Sequence, residues 1–210
     1  MDGIDLPTRV MWFIPVLLSL TVHEWAHAWA AWKLGDDTAK HLGRLTLNPL
    51  DHMDPVGTFL LPLTVSFGWA KPVPINPLRF RAVSMRFGIV LVAAAGPISN
   101  ALIAVAAWSL LVLLRLPVLA ETAESLEPIR FLLEMFVPIN MALCVFNLLP
   151  IPPLDGSKVV DGLLPDSARP AWNRFCDLGP ALLAALILLP LLVGFSPVLE
   201  VMDFVTRLVE

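Results

Sequence analysis

Two histidines four residues apart with a glutamate beside the first, His23-Glu24-Trp25-Ala26-His27, form the pattern HExxH. On a helix of about 3.6 residues per turn the two imidazoles lie one turn apart on the same face, where they can grip one metal ion. Zinc accepts such nitrogen ligands, and a catalytic zinc keeps about three protein ligands and a water. Glu24 adjoins the first ligand without being one, and it is placed to act as general base toward that water. Short patterns of this kind recur by chance in soluble helices, so the surroundings decide. Here the motif stands inside an apolar run from 10 to 32. Ionisable groups at membrane depth cost about 2.5 to 3.5 kcal/mol each on insertion scales, a burden that a purely structural trio gives no reason to retain.

A third ligand is required. The metzincin extension fails, since Ala30 and Lys33 occupy its glycine and histidine positions, and no glutamate falls between Glu24 and Glu121. Donors on the same side of the membrane as the motif are His41, His52, Asp36, Asp37, Asp51, Asp54, Asp155 and Asp161. Asp155 is the best placed, because it closes the run from Asn147 to Gly156 where a later apolar segment returns to that side. Pro150, Pro152 and Pro153 break the helix there, which membrane depth tolerates only in packed or wet surroundings. Capping a helix is the plainer job for an aspartate at a segment end.

These residues need a scaffold, and composition says which kind. Of the 210 residues 57% are hydrophobic and 15% charged, with a mean hydropathy of +0.77. Soluble domains carry about a quarter charged residues, so a soluble globule and a disordered chain are both excluded. The net charge of −4 and the lack of a basic stripe give no reason to expect nucleic acid as a partner. Cys144 and Cys176 are too few for a disulfide framework and are read as packing residues. Only Arg9 precedes the first apolar run, so that run is expected to stay in the mature protein rather than act as a signal peptide.

Segments of about 20 apolar residues fall at 10 to 32, 85 to 114, 129 to 151 and 178 to 201. The stretch 56 to 70 is short and holds Pro62, which predicts a re-entrant segment. Around 69 to 77, Pro72, Pro74 and Pro77 alternate with Val73 and Ile75, which predicts extended edge strands. The expected fold is therefore an all-α polytopic membrane protein: about four transmembrane helices, a re-entrant segment and a short cytoplasmic-side β element. It forms a single domain over 1–210, with the motif-bearing core at about 10–162 and an accessory span at 178–201. Four crossings put 33 to 86 and 152 to 177 on one side. Ten Lys and Arg lie there against four on the other, so that side is cytoplasmic by the positive-inside rule. Trp25, Trp29 and Trp32 make a helical stripe that reads as interface anchoring.

With both motifs in view, the sequence resembles the site-2 protease family of intramembrane zinc metalloproteases. The resemblance rests on His23-Glu24-Trp25-Ala26-His27 and on Asn147 to Gly156, which follows the family pattern N-x-x-P-x-x-x-L-D-G. Gly43 to Pro49, His52 to Gly57, Ala70 to Pro74 and Ala95 to Asn100 are similar to further family blocks. The resemblance covers about 20 to 162 and implies a compact form without a PDZ or CBS domain. It implies one zinc per chain on His23, His27 and Asp155, Glu24 as catalytic base, and Asn147 as a polar group near the scissile carbonyl. It also brings His52 into view as a group that orients water or stabilises an oxyanion; an ordinary polar loop residue is the alternative.

The reaction so implied is hydrolysis of peptide bonds in or near transmembrane segments of a membrane protein or peptide, in a bilayer of bacterial or archaeal type. A substrate helix must unwind to present an extended strand, since its backbone groups are otherwise bonded within it. The Pro-rich strands could take that strand by edge addition or form a simple surface turn. Asn140, Asn100 and Ser99 read equally as helix-to-helix hydrogen-bonding groups. The competing class is a membrane metal transporter or metal-binding protein without hydrolase activity. Transporters usually show repeats and broken helices at the midplane, and none is visible. Glu24 separates the classes, because transport needs ligands whereas hydrolysis needs a base.

Overall fold

The computed structural model describes residues 6–54, 57–58, 70–116 and 123–193. Helix α1 (Leu6–Lys33) carries the HExxH motif in its second half. It ends at Leu34 and Gly35, whose φ of +107° is a left-handed conformation that glycine adopts without steric cost. The short helices α2 (Thr38–His41) and α3 (Pro49–His52) follow. Asn48 caps α3 by accepting from the Leu50 N–H at 3.3 Å.

Helix α4 (Met85–Leu114), capped by Ser84, is the centre of the molecule and packs against α1, against α5 (Ala123–Leu148) and against α6 (Asp155–Leu163). Its buried face runs through Gly88, Val92, Ala93, Gly96, Asn100, Ala104 and Ala107. Lipid tails are as apolar as leucine, so small residues that let backbones approach closely are what draws membrane helices together. The opposite face exposes Ile98, Leu102, Val105 and Trp108. Gly162 of α6 repeats the device, since a Cβ there would stand 2.2 Å from Val90 Cγ2. Beyond α6 come α7 (Arg169–Asp177) and α8 (Gly179–Val193).

Among the described residues, α4 and residues 125–147 of α5 are long and apolar enough to cross a bilayer, and the α7–α8 pair, bent by 49°, makes a third if it counts as one span. Helix α1 has the length, 28 residues, or about 42 Å at 1.5 Å per residue, but His23, Glu24 and His27 interrupt its apolar character. The chain is an integral membrane protein built mostly of helices. The segment expected to re-enter, 56 to 70, lies almost wholly outside the described residues, as does the end of the expected fourth span.

No strand occurs among the described residues, so the expected β element takes another form. Residues 70 to 76 run without helix or ladder, tied down point by point. The Lys71 N–H donates to the His52 carbonyl at 2.9 Å, and Arg44 Nη2 donates to the Lys71 carbonyl at 2.6 Å. The Asn76 N–H donates to Asp36 Oδ2 at 2.6 Å. Pro72 and Pro74 have no N–H to give to a ladder, and the N–H groups of Lys71, Val73 and Asn76 donate to the His52 carbonyl, Glu24 and Asp36.

Candidate metal centre

Helical spacing sets His23 and His27 on the α1 face that meets α4. Their Nε2 atoms stand 3.1 Å apart, and Asp155 Oδ2 lies 3.2 Å from the first and 3.0 Å from the second. All three residues are buried. Among the described residues they form the single group of three His, Cys, Asp or Glu whose ligand atoms converge in this way.

The remaining ring nitrogens explain the convergence. His23 Nδ1 is 2.6 Å from Asn100 Oδ1, and His27 Nδ1 is 2.7 Å from the Val92 carbonyl. Both partners are acceptors, so each Nδ1 carries the proton and each Nε2 turns a lone pair inward. Two lone pairs and a carboxylate oxygen thus face one another in a buried space, an arrangement that repels itself unless a cation sits between them. Tetrahedral ligands about 2.0–2.1 Å from zinc stand roughly 3.3 Å apart, and the observed separations are 3.0 to 3.2 Å. The donor set therefore fits zinc. Gly96 leaves the room: a Cβ there would stand 2.4 Å from His27 Nε2 and 2.6 Å from His23 Nε2.

Asp155 arrives through another close approach. A Cβ on Gly156 would stand 2.2 Å from the Leu148 carbonyl oxygen, so glycine lets the first turn of α6 fold back onto the end of α5. Asp155 opens α6, yet its carboxylate turns Oδ2 toward the two Nε2 atoms and accepts from Lys158 Nζ at Oδ1, 2.9 Å away. The capping role open to Asp155 in the sequence is not one of these bonds.

Glu24 points elsewhere on α1, and its Oε2 accepts from the Val73 N–H at 3.1 Å. The extended segment thus touches the carboxylate adjacent to the first histidine. His52, buried at 1% exposure, donates from Nε2 to the Thr46 carbonyl at 2.8 Å, and its Nδ1 has no hydrogen-bond partner among the described residues. It braces the loop that carries Lys71 and does not join the three converging ligands. Asn147 donates from Nδ2 to the Leu143 carbonyl of its own helix at 3.0 Å. Of the other donors weighed, Asp36 accepts from Thr38 and Asn76, Asp37 pairs with Arg79, and Asp161 lies 3.8 Å from Arg169.

Asn100 and Gly96 are the residues whose bearing on the site the spacing did not disclose. The signal was present in the block from Ala95 to Asn100, where one glycine and one amide share a face of a long apolar helix.

The model of peptidase family M50 matches residues 11–190. A Bacillus subtilis protein named "Putative zinc metalloprotease YwhC" is 41% identical over 181 residues, which cover 85% of this chain and 80% of that one. The Mycolicibacterium smegmatis protein named "Putative zinc metalloprotease Rip2" is 30% identical over 178 residues, 84% of this chain and 66% of its own length. Its Mycobacterium tuberculosis namesake, from strain H37Rv, is 31% identical over 192 residues, 88% and 66% respectively. No solved structure matches the chain.

Proposed function

Because the chain belongs to peptidase family M50, and is with it a zinc metalloprotease, we propose that it hydrolyses peptide bonds in or beside transmembrane segments of membrane-protein substrates. The observation that carries the reading is the convergence of His23 Nε2, His27 Nε2 and Asp155 Oδ2 in a helical core built for lipid. In this reading those three residues hold one zinc. Zinc, when bound, supplies Lewis acidity toward the scissile carbonyl and toward water.

The protein's own groups do the rest. Glu24 takes the proton of the attacking water and returns it to the leaving amine. Lys158 occupies Asp155 Oδ1 and so presents Oδ2 alone to the metal. The segment from Lys71 to Asn76 lies beside Glu24, where it borders the path of an unwound substrate strand. Asn147 and His52 are assigned supporting roles, Asn147 near the scissile carbonyl and His52 in bracing the loop under that segment. The active site is placed near the cytoplasmic face of a bacterial or archaeal membrane, in keeping with the ten-to-four split of basic residues and with the Bacillus relative.

The test is cleavage of a panel of single-span membrane proteins by the purified protein, with and without chelator. Chelator-sensitive cleavage within or next to the spans supports the proposal. Zinc-dependent activity confined to soluble peptides would refute the intramembrane reading, and zinc bound with no hydrolysis would favour metal transport or storage.

A further inference from the structure

Asn100 and Asn140 are both fully buried, on different helices, and belong to one chain of hydrogen bonds that ends at a metal-facing histidine. Asn140 Nδ2 of α5 donates to Ser19 Oγ of α1 at 2.9 Å and to the Phe136 carbonyl at 2.8 Å, which uses both amide hydrogens. Its Oδ1 therefore accepts, and what it accepts is Asn100 Nδ2 of α4 at 2.9 Å. That bond turns Asn100 Oδ1 toward His23 Nδ1, 2.6 Å away. Each amide has one orientation that satisfies its neighbours, and flipping either would set like groups against each other in a buried place.

We propose that Asn140, two helices from the metal-facing nitrogens and touching none of them, is a positioning residue that fixes the tautomer of His23 through Asn100. With Asn100 locked as an acceptor, His23 must carry its proton on Nδ1 and present the Nε2 lone pair. Without Asn140, the Asn100 amide is free to turn its NH2 group toward His23. The imidazole then accepts at Nδ1 and places its proton on Nε2, where a metal must displace it. Partners of a ligand histidine typically affect metal affinity by about 10–100-fold, and a residue acting through one such partner belongs near the lower end, about tenfold.

His27 supplies an internal control, because its Nδ1 is held by the Val92 backbone carbonyl and not by the relay. The inference rests on the zinc reading of the site, but its first readout needs no metal. In metal-free protein labelled with 15N-histidine, held at a pH high enough for both rings to be neutral, the ring nitrogen shifts should report Nδ1–H for both His23 and His27. Asn140→Leu should convert a substantial part of His23 to the Nε2–H form and leave His27 unchanged. Asn140→Asp, which keeps one oxygen toward Asn100 and, when protonated, donates to the Phe136 carbonyl with the other, should restore the wild-type signature. Zinc titrated against a chelator should bind about tenfold more weakly to Asn140→Leu than to wild type or Asn140→Asp. Asn140→Ser, too short to reach Asn100, makes the same comparison if the leucine variant does not fold. The relay is refuted if His23 keeps Nδ1–H in the variant, or if His23 and His27 change together as a general loosening of the core would make them. Should wild type bind no zinc, the metalloprotease reading fails while the tautomer comparison still decides the relay.

Discussion

Adding one methyl group at Gly96 should empty the metal centre. The Cβ of Gly96→Ala would lie 2.4 Å from His27 Nε2 and 2.6 Å from both Cε1 and Nε2 of His23, whereas ordinary contact begins at 3.4 Å. One of two things must yield by about 1 Å: the α1–α4 separation or the imidazoles. Metal ligands hold their distances to within about 0.2 Å, so either response breaks the coordination that the two rings share. Affinity should fall by at least about 100-fold, the upper range for disturbing a ligand's support. Overpacking by itself costs about 1–3 kcal/mol of stability, and Gly88→Ala controls for that cost. It lies on the same helix, and its Cβ would meet the Phe80 ring at 2.3 Å without approaching either histidine. Zinc content and chelator competition on both variants in detergent, with thermal unfolding alongside, give the answer. Wild-type affinity in Gly96→Ala, or equal loss in Gly88→Ala, would refute the geometry.

Glu24→Gln should retain zinc and fold and lose roughly 10²- to 10⁴-fold in cleavage rate, measured on one preparation by metal analysis and substrate digestion; retained cleavage would remove Glu24 as the base. Asp155→Ala should lose zinc by the same metal analysis, since it deletes a carboxylate oxygen within 3.2 Å of both Nε2 atoms, and full occupancy would take Asp155 out of the ligand set. For topology, single cysteines at exposed Lys40 and Arg174 should label from the cytoplasmic side and one at Leu116 from the other, in a background with Cys144 and Cys176 replaced. Labelling of Lys40→Cys and Arg174→Cys from opposite faces would break the parity that brings the two motifs together.

The three converging residues were legible because their chemistry leaves few substitutes: HExxH sets two donors on one face by helical period, and Asp155 was the donor at the right end of a later segment. The apolar runs at 85 to 114 and 129 to 151 were equally plain, for a helix in lipid must carry its hydrophobicity along its whole length. What stayed hidden depends on pairing across helices. Asn140 and Asn100 are 40 residues apart, and no local pattern distinguishes an amide that glues helices from one that orients a ligand. The extended segment around Val73 was recognised, but its proline alternation suggested a ladder. In the fold it meets side chains, because Asp36 and Glu24 supply the acceptors that a neighbouring strand would otherwise give. For His52, which stands in a family-like block, the structure adds that its Nε2–H goes to the Thr46 carbonyl.

A metal centre inside a helix bundle sets two demands in conflict: an apolar interior penalises every unpaired polar group by about 1–3 kcal/mol, yet a metal needs polar groups left open to it. Here the conflict is confined to one point. Asn140 spends both hydrogens and its oxygen, Asn100 spends its amide on Asn140 and His23, and His27 spends Nδ1 on Val92. Lys158 takes the outer oxygen of Asp155. What is left without a proton between them are the two Nε2 lone pairs and Asp155 Oδ2, three acceptors within 3.2 Å of one another. With those groups satisfied, the electrostatic strain is concentrated there, and a divalent cation relieves it. The network that makes the site tolerable to the helix bundle is thus the same network that turns both Nε2 atoms toward each other and toward Asp155 Oδ2.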